Sequence, residues 1–139
     1  MIVVDASVVV ELLRGGPLAG RIGEELIPEE GPMLAPDLLD MEVLSAFRNL
    51  ARGKWIDSHQ MGQILDTLAV LPVDRCAHLG LAERVWELRH NFTVYDAAYI
   101  ALAELSGATL YTCDAKLRKG HRSRVRVVGG GSGASPRYA

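Results

Sequence analysis

Cysteine is scarce in this chain. Cys76 and Cys113 are far apart, and neither belongs to a Cys-x-x-Cys pair or stands near a metal-spaced histidine. Zinc and thiol-redox chemistry therefore find little support, and both thiols are expected to be buried. His59, His78 and His90 are scattered; no pair has helical ligand spacing, which argues against an imidazole metal site or a catalytic triad. No apolar run approaches the roughly eighteen residues of a membrane span. A basic start followed by an apolar segment and a small-residue cleavage site is also missing, so the expectation is a cytoplasmic protein with no membrane segment. Acids are absent from the C-terminal end: all 17 Asp and Glu lie within residues 1–115, whereas 7 of the 15 Lys and Arg come later. Taken alone, the basic stretch Lys116, Arg118, Lys119, Arg122, Arg124 and Arg126 reads as solvated surface, with phosphate binding the less favoured alternative.

What is present is an ordinary soluble composition, 49% hydrophobic and 23% charged over 139 residues. That length suits one domain with its own core. Residues 1–128 are expected to form it, with 129–139 a flexible Gly/Ser-containing tail. Ile2, Val3 and Val4 form a non-alternating β-branched run that ends at Asp5, the pattern of a strand buried on both faces. A helix from Ser7 to Leu13 is broken at Gly15, Gly16 and Pro17, and a second runs from Leu18 to Leu26. After a loop from Pro28 to Pro32, Met33–Ala35 is a brief extended piece. Pro36 and Asp37 open a helix to Arg52 that stops at Gly53. Asp57 and Ser58 cap a helix to about Val70, and Val73 is expected in a short strand before Asp74. A helix is then predicted to run to His90, with Leu81, Val85, Trp86 and Leu88 as core positions and Trp55 packed as well. The segment from Asn91 to Leu105 is apolar almost all round, and Gly107 closes its helix. Ala108–Cys113 and Val125–Val128 are the last strands. Strands alternating with helices give an α/β domain, a central mostly parallel sheet flanked by helices.

Four acids recur in comparable settings. Asp5 and Asp114 end presumed parallel strands, where ligands of such sheets bind. Asp96 sits in the first turn of the buried helix, three residues after Thr93, so it either partners a cap or holds a cation. On the helix to Arg52, Glu42 and Asp40 flank the apolar stripe Leu39, Val43, Ala46, Phe47 and Leu50, and position alone does not rank one above the other. For Asp5 and Ser7, helix capping is the competing reading. Carboxylates gathered at one sheet edge cannot all stay ionised without cations. An oxygen-only donor set suits Mg²⁺, which can activate a water and stabilise both oxygens of a phosphodiester displacement.

Val-Val-Asp5-Ala-Ser7, the helix Leu-Leu-Asp-Met-Glu42-Val, Thr-Val-Tyr-Asp96-Ala-Ala-Tyr and Leu-Tyr-Thr112-Cys-Asp114 resemble the PIN-domain ribonucleases, most closely the VapC-type toxins of toxin–antitoxin pairs. The resemblance spans residues 1 to about 128. It implies that Asp5, Glu42, Asp96 and Asp114 form an acidic quartet binding Mg²⁺ or Mn²⁺, which decides for Glu42 over Asp40, and that Ser7 and Thr112 are supporting hydroxyls. It further implies an endonuclease acting on single-stranded regions of cellular RNA, a homodimer, and a VapB-type antitoxin that occupies the cleft, often through an arginine. Lys116, Arg118, Lys119 and Arg122 would then supply a basic rim for the RNA backbone.

Three other readings compete. A receiver-like phosphoacceptor domain would need an acid adjacent to Asp5, and none stands there. A catalytically silent binding module would use the acids only as helix caps. A DNA-directed nuclease would share the chemistry, since the contacts that sense a 2′-hydroxyl cannot be read from residue types.

Overall fold

The computed structural model describes residues 1–26 and 29–129. Pro28 of the expected loop and residues 130–139 of the expected tail lie outside the described residues. Strand β1 (Ile2–Val4) leads into helix α1 (Ala6–Leu13), and α2 (Ala19–Leu26) follows. Then come β2 (Met33–Pro36), α3 (Leu39–Arg52), α4 (Ser58–Val70) and β3 (Val73–Cys76). A 3-10 turn at Leu79–Leu81 precedes α5 (Ala82–Glu87), α6 (Val94–Ser106) and β4 (Thr109–Thr112). A second 3-10 turn, Ala115–Arg118, leads to β5 (Val125–Val127).

The strands form one sheet in the order β3-β2-β1-β4-β5, and every neighbouring pair is parallel. Parallel neighbours need crossover connections, and these are right-handed. The chain steps from β1 to β2 to β3 in one direction and then returns across the sheet to β4. That reversal puts α1–α4 on one face and α5–α6 on the other. The packing agrees: α1 lies against α2, α3 and α4, whereas α6 lies against α5 and spans β1, β2 and β4. Between the layers sit the fully buried β1 residues together with Val8, Val10, Leu39, Phe47, Tyr99, Ile100 and Leu110.

Local signals explain the element ends. Asp57 and Gln60 close a reciprocal capping box at the start of α4, at 2.8 and 2.9 Å. Thr93 Oγ1 accepts from Asp96 N (3.1 Å) at the start of α6, and Gly107 ends that helix in the left-handed conformation.

The region around residue 80 departs from the sequence expectation. Residues 74–76 continue the strand, paired in register with Leu34, Ala35 and Pro36, so the helix predicted to follow Val73 directly starts only at Ala82 after the 3-10 turn. β3 is an edge strand, and its Asp74 and Arg75 hide it from an apolar-pattern reading. The two tryptophans expected in the core are exposed, Trp55 at 77% and Trp86 at 63%. On the short α5 and its flanks only the Leu81, Val85 and Leu88 stripe is buried, and Arg89 stacks over the Trp86 ring at 4.5 Å. Pro36 belongs to β2, so α3 begins at Leu39. Cys113 is buried as expected, whereas Cys76 is only half-buried; both are free thiols. No helix among the described residues is long and apolar enough to cross a membrane.

Candidate active site

In an open parallel sheet, the crevice beyond the strand ends opens where neighbouring connections run in opposite directions. Here that point lies between β1 and β4, since the connections leaving them run to opposite faces. Asp5 follows β1 and Asp114 follows β4, so the topology sets both at this switch point.

Asp5 is almost fully buried, at 5% exposed. Its backbone N–H donates to Tyr111 O (3.2 Å), which extends the β1–β4 ladder by one residue. Its Oδ1 accepts from Val8 N (3.2 Å), capping α1, and from Ser7 Oγ (2.6 Å). Its Oδ2 accepts from Thr112 Oγ1 (2.5 Å). Each hydroxyl also accepts from the chain leaving β4: Ser7 Oγ from Cys113 N (2.9 Å) and Thr112 Oγ1 from Asp114 N (3.0 Å). Two hydroxyls thus stitch the end of β1 to the end of β4 and fix the Asp5 carboxyl in one orientation. Asp5 is also the N-cap of α1, so one side chain both caps that helix and ties β1 to β4.

Asp114 Oδ1 accepts from Lys116 N (2.9 Å), capping the second 3-10 turn. Asp96 is half-buried in the first turn of α6, and Glu42 is half-buried in the first turn of α3. Asp40, the rival of Glu42, pairs with Arg75 (3.0 Å), whose guanidinium also bonds the Leu68 and Leu71 carbonyls at the end of α4. Asp40 is therefore committed to joining α3, α4 and β3.

Electrostatics link the acids. Burial pushes Asp5 up to about 6 against the pull of its three donors, and the Asp96 charge adds to the rise. Glu42 is likewise raised to about 6, by burial first and then by the charges of Asp96 and Asp5. Burial and the charge of Asp114 raise Asp96, while Thr93 and Lys116 oppose the shift. A residue that sequence reasoning passed over lies beneath them. Tyr99, three residues after Asp96 on α6, is fully buried, and burial and the Glu42 charge hold its phenol far above the ordinary range. Tyr99 and Glu42 act on one another, and Tyr99 Oη and Glu42 Oε1 are both buried without a hydrogen-bond partner among the described residues. A tyrosine one turn from an acid in an otherwise apolar helix was the available signal.

Among the described residues, no three His, Cys, Asp or Glu side chains close around a point able to hold an ion. Mg²⁺ does not require that, because it commonly takes one or two carboxylates and completes its shell with waters and substrate phosphates. The residues fit such an ion in two respects: the donors are all oxygen, and the carboxyls raise one another's pKa values, as neighbours that a cation would neutralise.

The basic residues divide. Lys116, Arg118 and Lys119 are exposed next to Asp114, and the charge of Lys116 reaches Asp96. Arg122 is tied to Glu104 through its backbone N–H (2.8 Å) and its guanidinium (3.5 Å). Arg126 pairs with Glu25 (3.1 Å), which joins β5 to α2.

The sequence matches the PIN domain family over residues 2–121. Ribonuclease VapC12 of Mycobacterium tuberculosis is 35% identical over 130 residues, covering 92% of this chain and 99% of that protein. Ribonuclease VapC1 of the same organism is 40% identical over 116 residues, covering 83% and 86%. Among solved structures, a toxin–antitoxin complex from Klebsiella pneumoniae superposes with a TM-score of 0.63 at 21% identity, covering 86% of this chain and 92% of that one. By family match and by relatives aligned over most of both lengths, this chain belongs to the PIN-domain family, among the VapC-type ribonuclease toxins.

Proposed function

We propose that the chain is a metal-dependent endoribonuclease, the toxic component of a VapBC-type pair, which hydrolyses phosphodiester bonds in single-stranded regions of cellular RNA. The observation that carries this reading is the Asp5 carboxyl, fixed by Ser7 and Thr112 at the switch point of a parallel sheet and electrostatically coupled to Glu42 and Asp96. Asp5, Glu42, Asp96 and Asp114 would hold Mg²⁺ or Mn²⁺. When bound, the ion supplies Lewis acidity that eases deprotonation of a water and stabilises charge on the phosphoryl oxygens.

The chain's own contributions are positional and electrostatic. Ser7 and Thr112 keep the Asp5 oxygens aimed, so the carboxyl need not reorganise during reaction. Lys116, Arg118 and Lys119, with the exposed guanidinium of Arg122 whose charge is partly offset by Glu104, attract the RNA backbone to a site that would otherwise repel it. The acidic edge also suits the inhibitor expected of such a pair, a VapB-type antitoxin that places an arginine among the carboxylates. The working form is a homodimer in the cytoplasm, with residues 1–128 as the nuclease domain.

The test uses the purified chain, free of antitoxin, and end-labelled single strands of one sequence as RNA and as DNA, each with Mg²⁺, Mn²⁺ or EDTA. Metal-dependent cleavage of RNA alone is expected. Cleavage of DNA in preference to RNA would move the chain to a DNA-directed nuclease, and no cleavage together with no Mn²⁺ binding would leave a binding module.

A further inference from the structure

Tyr99 and Glu42 present an unusual pair. Tyr99 is 1% exposed; its hydroxyl and Glu42 Oε1 are both buried without a hydrogen-bond partner among the described residues, and the two side chains are near enough to act on one another. Buried polar groups are nearly always hydrogen-bonded, so two orphans on neighbouring side chains call for an explanation. A phenylalanine would fill the same space without an unpaired hydroxyl. The charges of Glu42, Asp5 and Asp96 all act on the Tyr99 phenol. The phenol remains a neutral donor, and Glu42 Oε1 is a buried acceptor that lacks a donor among the described residues.

Resting on the metal-site reading above, we propose that Tyr99 is a positioning residue: its hydroxyl donates to Glu42 Oε1 from the floor of the site and leaves Oε2 turned toward the cation. Glu42 comes from α3, on the opposite face of the sheet from α6, and among the described residues no hydrogen bond holds its Oε1. Asp5 is oriented by two hydroxyls, and the Tyr99 hydroxyl does the equivalent for Glu42. Partners of this kind, one step removed from the ion, commonly change metal affinity by about 10–100-fold.

The test is a titration of the full chain with Mn²⁺ alone, read by the electron paramagnetic resonance signal of free Mn²⁺, for wild type, Tyr99→Phe, Glu42→Gln and the double variant. Tyr99→Phe is expected to weaken Mn²⁺ binding about tenfold, with a metal-free thermal midpoint at or above that of wild type. In the Glu42→Gln background, the same change is expected to have no further effect on binding. Wild-type affinity in Tyr99→Phe, with Glu42→Gln weakened, would overturn the role of Tyr99 and leave the metal site standing. Equal losses in both backgrounds, or a Tyr99→Phe chain that fails to fold, would also overturn it by making the hydroxyl structural. A wild-type chain that binds no Mn²⁺ would remove the metal site and this proposal together.

Discussion

Asp5 shows how one side chain can tie a fold together while its burial opposes stability. It caps α1 and ties β1 to β4, yet burial raises its pKa to about 6. The folded state therefore binds the proton more tightly than the unfolded chain, whose carboxyl stays near its ordinary value of 3.8. The resulting stabilisation is fully present below that ordinary value and is lost as pH rises through about 6. Glu42 acts in the same direction. Metal-free protein is thus expected to lose stability between about pH 4 and 7, by on the order of 2 kcal/mol from Asp5 alone. Asp5→Asn keeps a cap of equal rank and removes the buried charge. Urea unfolding in EDTA should find this variant more stable than wild type near pH 7 and level with it near pH 4. A variant less stable than wild type at neutral pH would mean that the ionised carboxylate is favoured in the folded state.

At the scale of elements, the turn between α1 and α2 hangs on a second buried acid, Glu11. Its Oε1 accepts from Leu18 N (3.0 Å) and its Oε2 pairs with Arg14 (3.3 Å), while the side chain is wholly buried. A Cβ on Gly16 would lie 2.0 Å from that carboxylate. Glu11 is held at both oxygens and cannot swing aside, so Gly16→Ala is expected to cost about 2–4 kcal/mol by displacing a buried charge from its partners. Gly15 has positive φ but open space around it, so Gly15→Ala should cost only about 1–2 kcal/mol of backbone strain. Urea midpoints of the two variants give the comparison; equal losses would show that Glu11 is free to move. Neither feature was legible beforehand, because Gly15-Gly16-Pro17 read simply as a helix break. Helices with strong punctuation were legible: Asp57 and Ser58 before α4, Thr93 before α6, Gly107 after it. β3 was not legible beyond Val73, since an edge strand carrying Asp74 and Arg75 has no apolar alternation. Trp86 misled because hydrophobicity says that a ring prefers burial, not whether a six-residue helix has room to bury a second stripe.

For the whole molecule, the parallel sheet and the strand-end acids could be read because β-branched runs ending in Asp are a local pattern. Their meeting at one switch point depends on strand order, which no local pattern encodes. The same holds for the Arg75 pair that engages Asp40 rather than Glu42, which the family resemblance preferred and helix position alone did not, and for Tyr99, which hydropathy counts as core. Charge is likewise redistributed by folding: Arg126 and Arg122 of the basic stretch pair with Glu25 and Glu104, whereas Lys116 stands beside the acids. Lys116→Ala with Lys119→Ala is therefore expected to raise KM for RNA severalfold at low salt, to leave kcat nearly unchanged and to flatten the salt dependence of binding. Arg126→Ala should move none of these. An Arg126 effect on RNA binding as large as that of the lysine pair would show that the rim runs along β5 instead.

The most direct test of the acidic edge as the reacting centre is cleavage of a labelled single-stranded RNA by wild type and by Asp96→Asn, each with Mn²⁺ and with EDTA. The variant removes one charge at nearly constant shape. Metal-dependent cleavage by wild type, reduced at least about a hundredfold in the variant, is expected for a residue that holds the catalytic ion. Cleavage that persists in EDTA, or at wild-type rate in Asp96→Asn, would place the chemistry elsewhere on the molecule.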